Sequence, residues 1–340
     1  MSALPTPMRA IGLALLFLAL LFILSFGIGR YPVAPGTVLA VLAAKIFPLT
    51  PAWPRETETV VLLIRLPRIV AALLVGSALS VSGAAYQGLF RNPMVSPDIL
   101  GVSAGASLGA ATAILLGCGM AGIQGMAFAG GLAAVTATWA IGARLGRQGD
   151  AVLVMVLAGI IIGTLFAAFV SVVKFVADPN NALPTITYWL MGSLASAKLG
   201  DLGIVAIPIL LGMTVLSGMG WVLNVLCFGD EEARALGLET GRLRLIVIVC
   251  ATLITAAAVA VSGIIGLVGL IVPHLARMLV GPDHRILLPV SALLGAGFLL
   301  AVDDLARSLF EVELPLGIVT AIIGAPIFLY LLNRSRRGWN

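Results

Sequence analysis

Charged residues are scarce in this 340-residue sequence, which has 20 Lys and Arg and 15 Asp and Glu, 10% of the chain. A soluble globular protein carries roughly 25% charged residues, so there is too little charge here to coat a water-facing body. Cysteine is nearly missing. Cys118, Cys227 and Cys250 are widely spaced, which excludes a C-x-x-C redox motif and any regular metal-ligand spacing. His274 and His284 are the only histidines, in different segments and without H-E-x-x-H. No carboxylate cluster or nucleophile–base pair can be placed at a common depth, so nothing supports an intramembrane enzyme. There is also no G-x-x-x-x-G-K-[ST] phosphate loop. The expectation is a chain with no catalytic residue, no metal site and no bound cofactor of its own.

What the sequence has in abundance is apolar length. It is 60% hydrophobic, with a mean hydropathy of +1.13. Backbone polar groups in lipid must be satisfied internally, so only helices or closed barrels span a bilayer. The long continuous runs lack the alternation of barrel strands. Each span needs roughly 20 apolar residues, and the segments near 9–29, 66–89, 98–117, 121–142, 151–176, 200–223, 243–262, 264–280, 287–305 and 315–333 qualify. The chain is therefore expected to be an all-α membrane protein of about ten transmembrane helices, one domain over 1–340 with no soluble domain appended. The first segment is read as a retained helix, because its apolar run exceeds a signal h-region and no A-x-A site follows.

Ten helices place both termini on one side, and the positive-inside rule makes that side cytoplasmic. The cytoplasmic segments then hold Arg9, Arg91, Arg144, Arg147, Arg234, Arg242, Arg244, Arg277, Arg285, Arg334, Arg336 and Arg337. The opposite face holds Arg30, Lys45, Arg55, Arg65, Arg68, Lys174, Lys198 and Arg307, eight against twelve. The net charge of +5 reads as topology and needs no nucleic-acid partner. An outward loop at about 30–65 is expected to hold one short helix near Pro35–Phe47.

The inward stretch at about 228–242 is the most polar in the chain. Asp230 suits an N-cap, Glu231 and Glu232 suit the positive end of a helix dipole, and Gly237 suits a left-handed cap. A short helix over 230–236 is expected, either a plain connector or an element that a cytoplasmic motor protein grips. Asp303 and Asp304 precede Arg307 by four and three residues, a spacing that favours a local salt bridge over an ion relay. Lys174 and Asp178 have the spacing of an ordinary i,i+4 pair, and His274 is read as structural. Glycines inside the apolar runs, including Gly105, Gly109, Gly159 and Gly269, are read as helix-packing positions.

Ordered motifs then carry a family resemblance: Arg65-Leu66-Pro67-Arg68, the run Gly88-Leu89-Phe90-Arg91-Asn92-Pro93-Met94 continuing to Ala106, Tyr188-Trp189-Leu190-Met191-Gly192-Ser193, the run Gly229 to Gly237, Gly263 to Arg277, and Glu313-Leu314-Pro315 with Gly324-Ala325-Pro326. From about residue 60 to the C-terminus they resemble the FecCD-like, BtuC-like permeases of ABC importers. The resemblance implies a type II ABC importer permease of ten helices in the bacterial inner membrane. Its implied partners are a second copy of the chain, two cytoplasmic ATPase subunits that hold ATP and Mg, and a periplasmic binding protein. It implies ATPase coupling through Gly229, Asp230, Glu231, Glu232, Ala233, Arg234, Leu236 and Gly237, and a cytoplasmic gate at Asn92, Pro93 and Met94. It further implies that Arg65, Arg68 and Arg307 receive acidic residues of the binding protein, with snorkelling at the membrane boundary as the alternative. The implied cargo is a bulky metal chelate, iron-siderophore by family frequency, with haem, cobalamin or molybdate as other members' cargoes. An ion-gradient-driven secondary transporter is the alternative function.

Overall fold

The computed structural model describes residues 7–29, 31–48, 50, 53–145, 151–309 and 311–336. Arg30, Arg147 and Arg337, counted above toward orientation, lie outside the described residues, as do the side chains of Arg334 and Arg336. All regular structure among the described residues is helical. In chain order the helices are α1 Pro7–Gly27, α2 Pro35–Ala43, α3 Arg55–Thr59, α4 Leu66–Leu89, α5 Val102–Leu115, α6 Met120–Leu145, α7 Ala151–Val176, α8 Ala182–Leu190, α9 Leu199–Gly218, α10 Gly220–Leu226, α11 Asp230–Ala235, α12 Thr240–Ser262, α13 Val268–Val280, α14 His284–Ala306 and α15 Leu316–Arg336. Seven helical stretches are long and apolar enough to cross a membrane, and three shorter apolar helices, Val102–Leu115, Val268–Val280 and Leu316–Leu331, fall where the remaining spans were expected.

Two boundaries differ for clear physical reasons. The expected loop at 30–65 stops early, because α3, a π-helical stretch Val60–Arg65 and α4 run as one helix, Arg55–Leu89. Its first turns, Arg-Glu-Thr-Glu-Thr, are too polar for a hydropathy window to include. The wide π turn directly precedes Pro67, whose ring and missing N–H disturb the ordinary i→i−4 ladder. The expected span at 200–223 is two helices, α9 and α10, broken at Met219.

The centre of the bundle is the antiparallel pair α4 and α14, with α12 and α13 against α4. Arg68 meets Asp303, Gly76 meets Gly295 and Gly88 meets His284, so the pair runs its full length in one register. Lipid tails are as apolar as leucine, so packing in a membrane depends on close contact more than on removal from water. Gly76 and Gly295 supply that contact: a methyl on either would overlap the other's carbonyl. Gly83 against Gly269 does the same between α4 and α13, as do Gly105 and Gly130 between α5 and α6. Gly105, Gly109, Gly159 and Gly269 thus all sit at close packing contacts, whereas Gly266 has open space around it. Helices α1, α7 and α9 lie at the edge, with most of their apolar side chains uncovered in the single chain.

Candidate functional site

Because α4 rises about 1.5 Å per residue, Arg68 and Gly88 lie ~30 Å apart, the thickness of a bilayer core. The functional candidates sort to these two ends.

At the Arg68 end the charges are buried and matched. Arg68 Nε donates to both carboxylate oxygens of Asp303, at 2.8 and 3.0 Å, and a terminal nitrogen donates to Glu313 at 2.7 Å. Arg307 approaches Asp303 at 3.6 Å and donates to Asp304, and it also reaches the Ser25 carbonyl at 2.8 Å and hydroxyl at 2.7 Å. The Ser25 hydroxyl in turn donates to Asp304 at 2.6 Å. Arg65 donates to the carbonyls of Phe26 and Tyr31. Three guanidiniums and three carboxylates therefore tie α1, α4, α14 and the segment before α15 together. The Asp304–Arg307 pairing agrees with the sequence spacing, while Asp303 serves mainly Arg68. Arg65, Arg68 and Arg307 stand together at this end and are only 4%, 7% and 6% exposed in the single chain. Burial of a guanidinium demands pairing; the carboxylates of Asp303, Asp304 and Glu313 supply it to Arg68 and Arg307, with Arg307 Nε left without a hydrogen-bond partner, while Arg65 relies on backbone carbonyls. A partner's carboxylate reaches Arg68 only in competition with Glu313.

At the opposite end, α4 stops in a Schellman turn. Asn92 N donates to the Gln87 carbonyl and Arg91 N to the Gly88 carbonyl, both at 3.1 Å. Arg91 takes the left-handed position, φ 51°, where glycine is usual. Pro93 then prevents the helix from resuming, and Asn92 Oδ1 accepts from Met94 N at 2.9 Å. Asn92, Pro93 and Met94 thus stand together, exposed, at the rim of a cavity of about 1130 Å³. Sequence reasoning missed that cavity. It collects Gln87, Arg91, Cys227, His274, Arg277 and His284 from α4, α10, α13 and α14. One wall is fixed by Asn224, whose amide donates to Asp283 at 2.6 Å and accepts from His284 N at 2.8 Å. Asp283 caps α14 through Arg285 N at 3.0 Å. The hydrogen bonds from Asn224 and Arg285 hold the Asp283 carboxyl below the usual carboxylate range. Among the described residues, no group of three His, Cys, Asp or Glu side chains is gathered as a metal would require.

Helix α11 projects beside this cavity. Leu238 N donates to the Ala233 carbonyl at 3.0 Å and Gly237 N to Arg234 at 2.9 Å, the paired bonds of a Schellman cap with Gly237 at φ 80°. Its N-cap is Gly229, φ 133°, and Asp230 is the first helical residue, which corrects the expected N-cap. The Asp230 carboxylate is instead bound to Arg244 of α12 at 2.6 Å. Ala233 is buried, while Glu231, Glu232, Arg234 and Leu236 face outward. Leu236 is 63% exposed and Phe228 76%, two apolar knobs without cover on an otherwise polar element. Lys174 and Asp178 are not an ion pair among the described residues; Asp178 accepts from Asn180 N at 3.2 Å and Asn181 Nδ2 at 2.7 Å.

Comparison with known proteins agrees with this geometry. Residues 16–334 match the model of the FecCD transport family. The chain is 39% identical over 332 residues, 98% of its own length and 97% of the relative's, to the molybdate import system permease protein MolB of Haemophilus influenzae. It is 44% identical over 295 residues, 86% of this chain and 79% of the other, to the cobalamin import system permease protein BtuC of Halobacterium salinarum. A solved metal-chelate type ABC transporter in an inward-facing conformation superposes with a TM-score of 0.84 at 36% identity, covering 96% of this chain and 99% of that one. With its multiple apolar helices, the chain is a multi-pass membrane protein belonging to the FecCD transport family of ABC importer permeases.

Proposed function

We propose that this chain works as one of two identical permease subunits in the bacterial inner membrane, carrying a bulky metal chelate inward at the expense of ATP hydrolysed in separate subunits. The observation that carries the reading is α11. It is capped at its C-terminal end, anchored to α12 through Asp230 and Arg244, and presents Glu231, Glu232, Arg234 and Leu236 outward beside the cavity behind Asn92. A short helix held this way passes a push from an ATPase into α12 instead of absorbing it. Both termini lie on that side, and the periplasmic binding protein docks at the Arg68 end. There Arg65, Arg68 and Arg307 act through the shape and charge of the surface they build, with Glu313 the carboxylate that a docking partner competes against.

On this reading Asn92, Pro93 and Met94 form the rim that narrows when the inner end closes, and the cavity of about 1130 Å³ is the exit vestibule. Iron chelate is favoured as cargo, with relatives and neighbours named for molybdate, cobalamin and metal-chelate transport. Asp303 and Asp304 favour no ion-driven mechanism, because both are committed to guanidiniums at a helix end. Secondary transporters bind their ions near the midplane.

The test is reconstitution of the chain with its ATPase and binding protein in liposomes, offered labelled ferric siderophore, haem, cobalamin and molybdate. ATP-dependent accumulation of one cargo is expected, and Glu232→Arg should abolish it. Full uptake by the Glu232→Arg variant would sink the coupling role of α11. Uptake by the chain alone on a proton gradient would favour the secondary transporter.

A further inference from the structure

The vestibule contains positive charge that the fold does not use. His274 and Arg277 are one helical turn apart on α13 and so share a face, and both line the cavity together with Arg91 from the α4 turn. No hydrogen bond or ion pair engages the side chain of any of the three among the described residues. Of the acidic groups in reach, Asp283 is held by Asn224 and Arg285, and the Glu232 carboxylate lies near Arg91 across Gly229 without an ion pair between them. Arg277 is half-buried and Arg91 exposed, whereas the buried Arg68 and Arg307 are paired with carboxylates. Gln87 adds a second anomaly. It is 2% exposed, its amide nitrogen donates to the Leu270 carbonyl at 3.1 Å, and its Oε1 on the cavity wall has no partner, an acceptor that awaits a donor group and gives no support to a bare oxyanion.

Arg91 adds a third. Placing a non-glycine residue in the left-handed position costs free energy, and such outliers persist where the side chain is required. The rest of the wall is mixed: Met94, Phe228, Val280, Phe328 and Leu331 are apolar, while Asn92, Asn224, Asp283 and His284 are polar.

We propose that Arg91, His274 and Arg277 form an anion-binding station in the vestibule, which takes an oxyanion group (carboxylate or phosphate) borne on an apolar body. This rests on the reading of the cavity as the vestibule at the ATPase end. Guanidinium suits oxyanions because its planar donors can be shared bidentately, and the apolar part of the wall accepts the body that carries them. Two sources share this chemistry: an anionic chelate in transit, and the headgroup of an anionic lipid entering from the bilayer.

Cys227 is a built-in reporter. Its thiol lines the same cavity, and both Arg91 and Arg277 are close enough to favour its thiolate against the opposing effect of burial. An anion between them would cover the thiol and cancel that help, so alkylation would slow. The full-length chain carrying Cys118→Ser and Cys250→Ser is placed in nanodiscs without ATPase, and maleimide labelling of Cys227 is timed. In phosphatidylcholine discs, millimolar phosphate is compared with chloride at equal ionic strength; in a second arm, phosphatidylglycerol replaces part of the lipid. Slowing of about tenfold is expected, the scale of one charge-assisted hydrogen bond. Slowing by phosphate identifies a soluble oxyanion, and slowing only by phosphatidylglycerol identifies a headgroup. No slowing in either arm overturns the station.

Combining Arg91→Asn, which suits the left-handed turn, with Arg277→Gln should remove the protection; protection that survives overturns the assignment. Should that double variant not fold, Arg277→Gln should lose protection and Arg277→Lys keep it, and equal protection in both is a refutation. ATP-driven uptake that persists in a chain showing no protection overturns the station and leaves the importer reading standing. Protection in a chain without ATP-driven uptake supports the station and counts against the importer reading.

Discussion

The two ends of the α4–α14 pair are built from the same residue types and arranged in opposite ways. At the Arg68 end, Arg68 and Arg307 are buried and paired with carboxylates, and Arg65 is held by backbone carbonyls. At the Arg91 end, Arg91 and Arg277 line an open cavity with no acidic partner. The matched end fastens α1, α4 and α14 into one block, whereas the unmatched end leaves a space about 1130 Å³ in size between α4, α10, α13, α14 and α15. One helix pair thus supplies a fixed point and a working mouth.

The contrast breaks most completely at Asp303. Asp303→Asn leaves Arg68 and Arg307 buried with half their pairing, and removing one partner of a buried ion pair costs about 3–5 kcal/mol. The expected result is a large drop in the apparent melting temperature of the detergent-solubilised chain, or loss of folded protein. A melting temperature within a degree or two of the parent would show that the cluster is not what fastens this end.

A smaller effect compares the same substitution along one helix. Gly76→Ala pushes a methyl into the Gly295 backbone, which cannot yield, and should cost about 2–3 kcal/mol. Gly88→Ala meets the ring of His284 at 2.5 Å, a side chain beside the cavity held through Nδ1 to Asn224 and not fixed as backbone is, and should cost only about 1 kcal/mol. Thermal unfolding of the two variants side by side measures the difference; equal losses would mean that both halves of the pair are equally tight.

The cap of α11 should respond more weakly still. Gly237→Ala has space for its methyl but adopts φ 80°, a strain of about 1 kcal/mol. Hydrogen exchange should speed up at the amides of Gly237 and Leu238 while the α4 amides stay protected. The smallest expected effect is acid sensitivity at the open end. The folded pKa of Asp283 is depressed, so its contribution is present above the ordinary carboxylate value of about 3.9 and is lost as pH falls through the folded value. Asp283→Asn should lower stability slightly at neutral pH, where the contribution is present, and flatten the profile below about pH 4.

Hydropathy alone located the apolar helices, because a missing polar surface is a property of every window of such a chain. Helix α11 was equally legible, since its cap is a local matter of Gly237 and the acidic first turn. The i,i+4 and i,i+3 spacings exposed the contact of Arg307 with the two aspartates. Local spacing also misled: Lys174 and Asp178 have pairing distance along a helix, yet Asp178 lies past the end of α7 and turns to Asn180 and Asn181. The pairing of Arg68 with Asp303 joins residues 235 positions apart, and nothing in a single sequence announces it. The cavity was hidden for the same reason, its walls coming from five separate helices. The signal that could have been pursued is Arg91 just ahead of Asn92-Pro93, a long cationic side chain where a helix ending calls for glycine.

The balance at the Arg68 end also has an electrical meaning. A charge that crosses a membrane potential does work of about 2.3 kcal/mol per 100 mV. A cluster of three positive and three negative groups carries none, so it can tilt or shift with α4 and α14 without sensing voltage. Arg91 and Arg277, which no carboxylate pairs, carry charge that does respond to the potential, together with whatever charge enters between them.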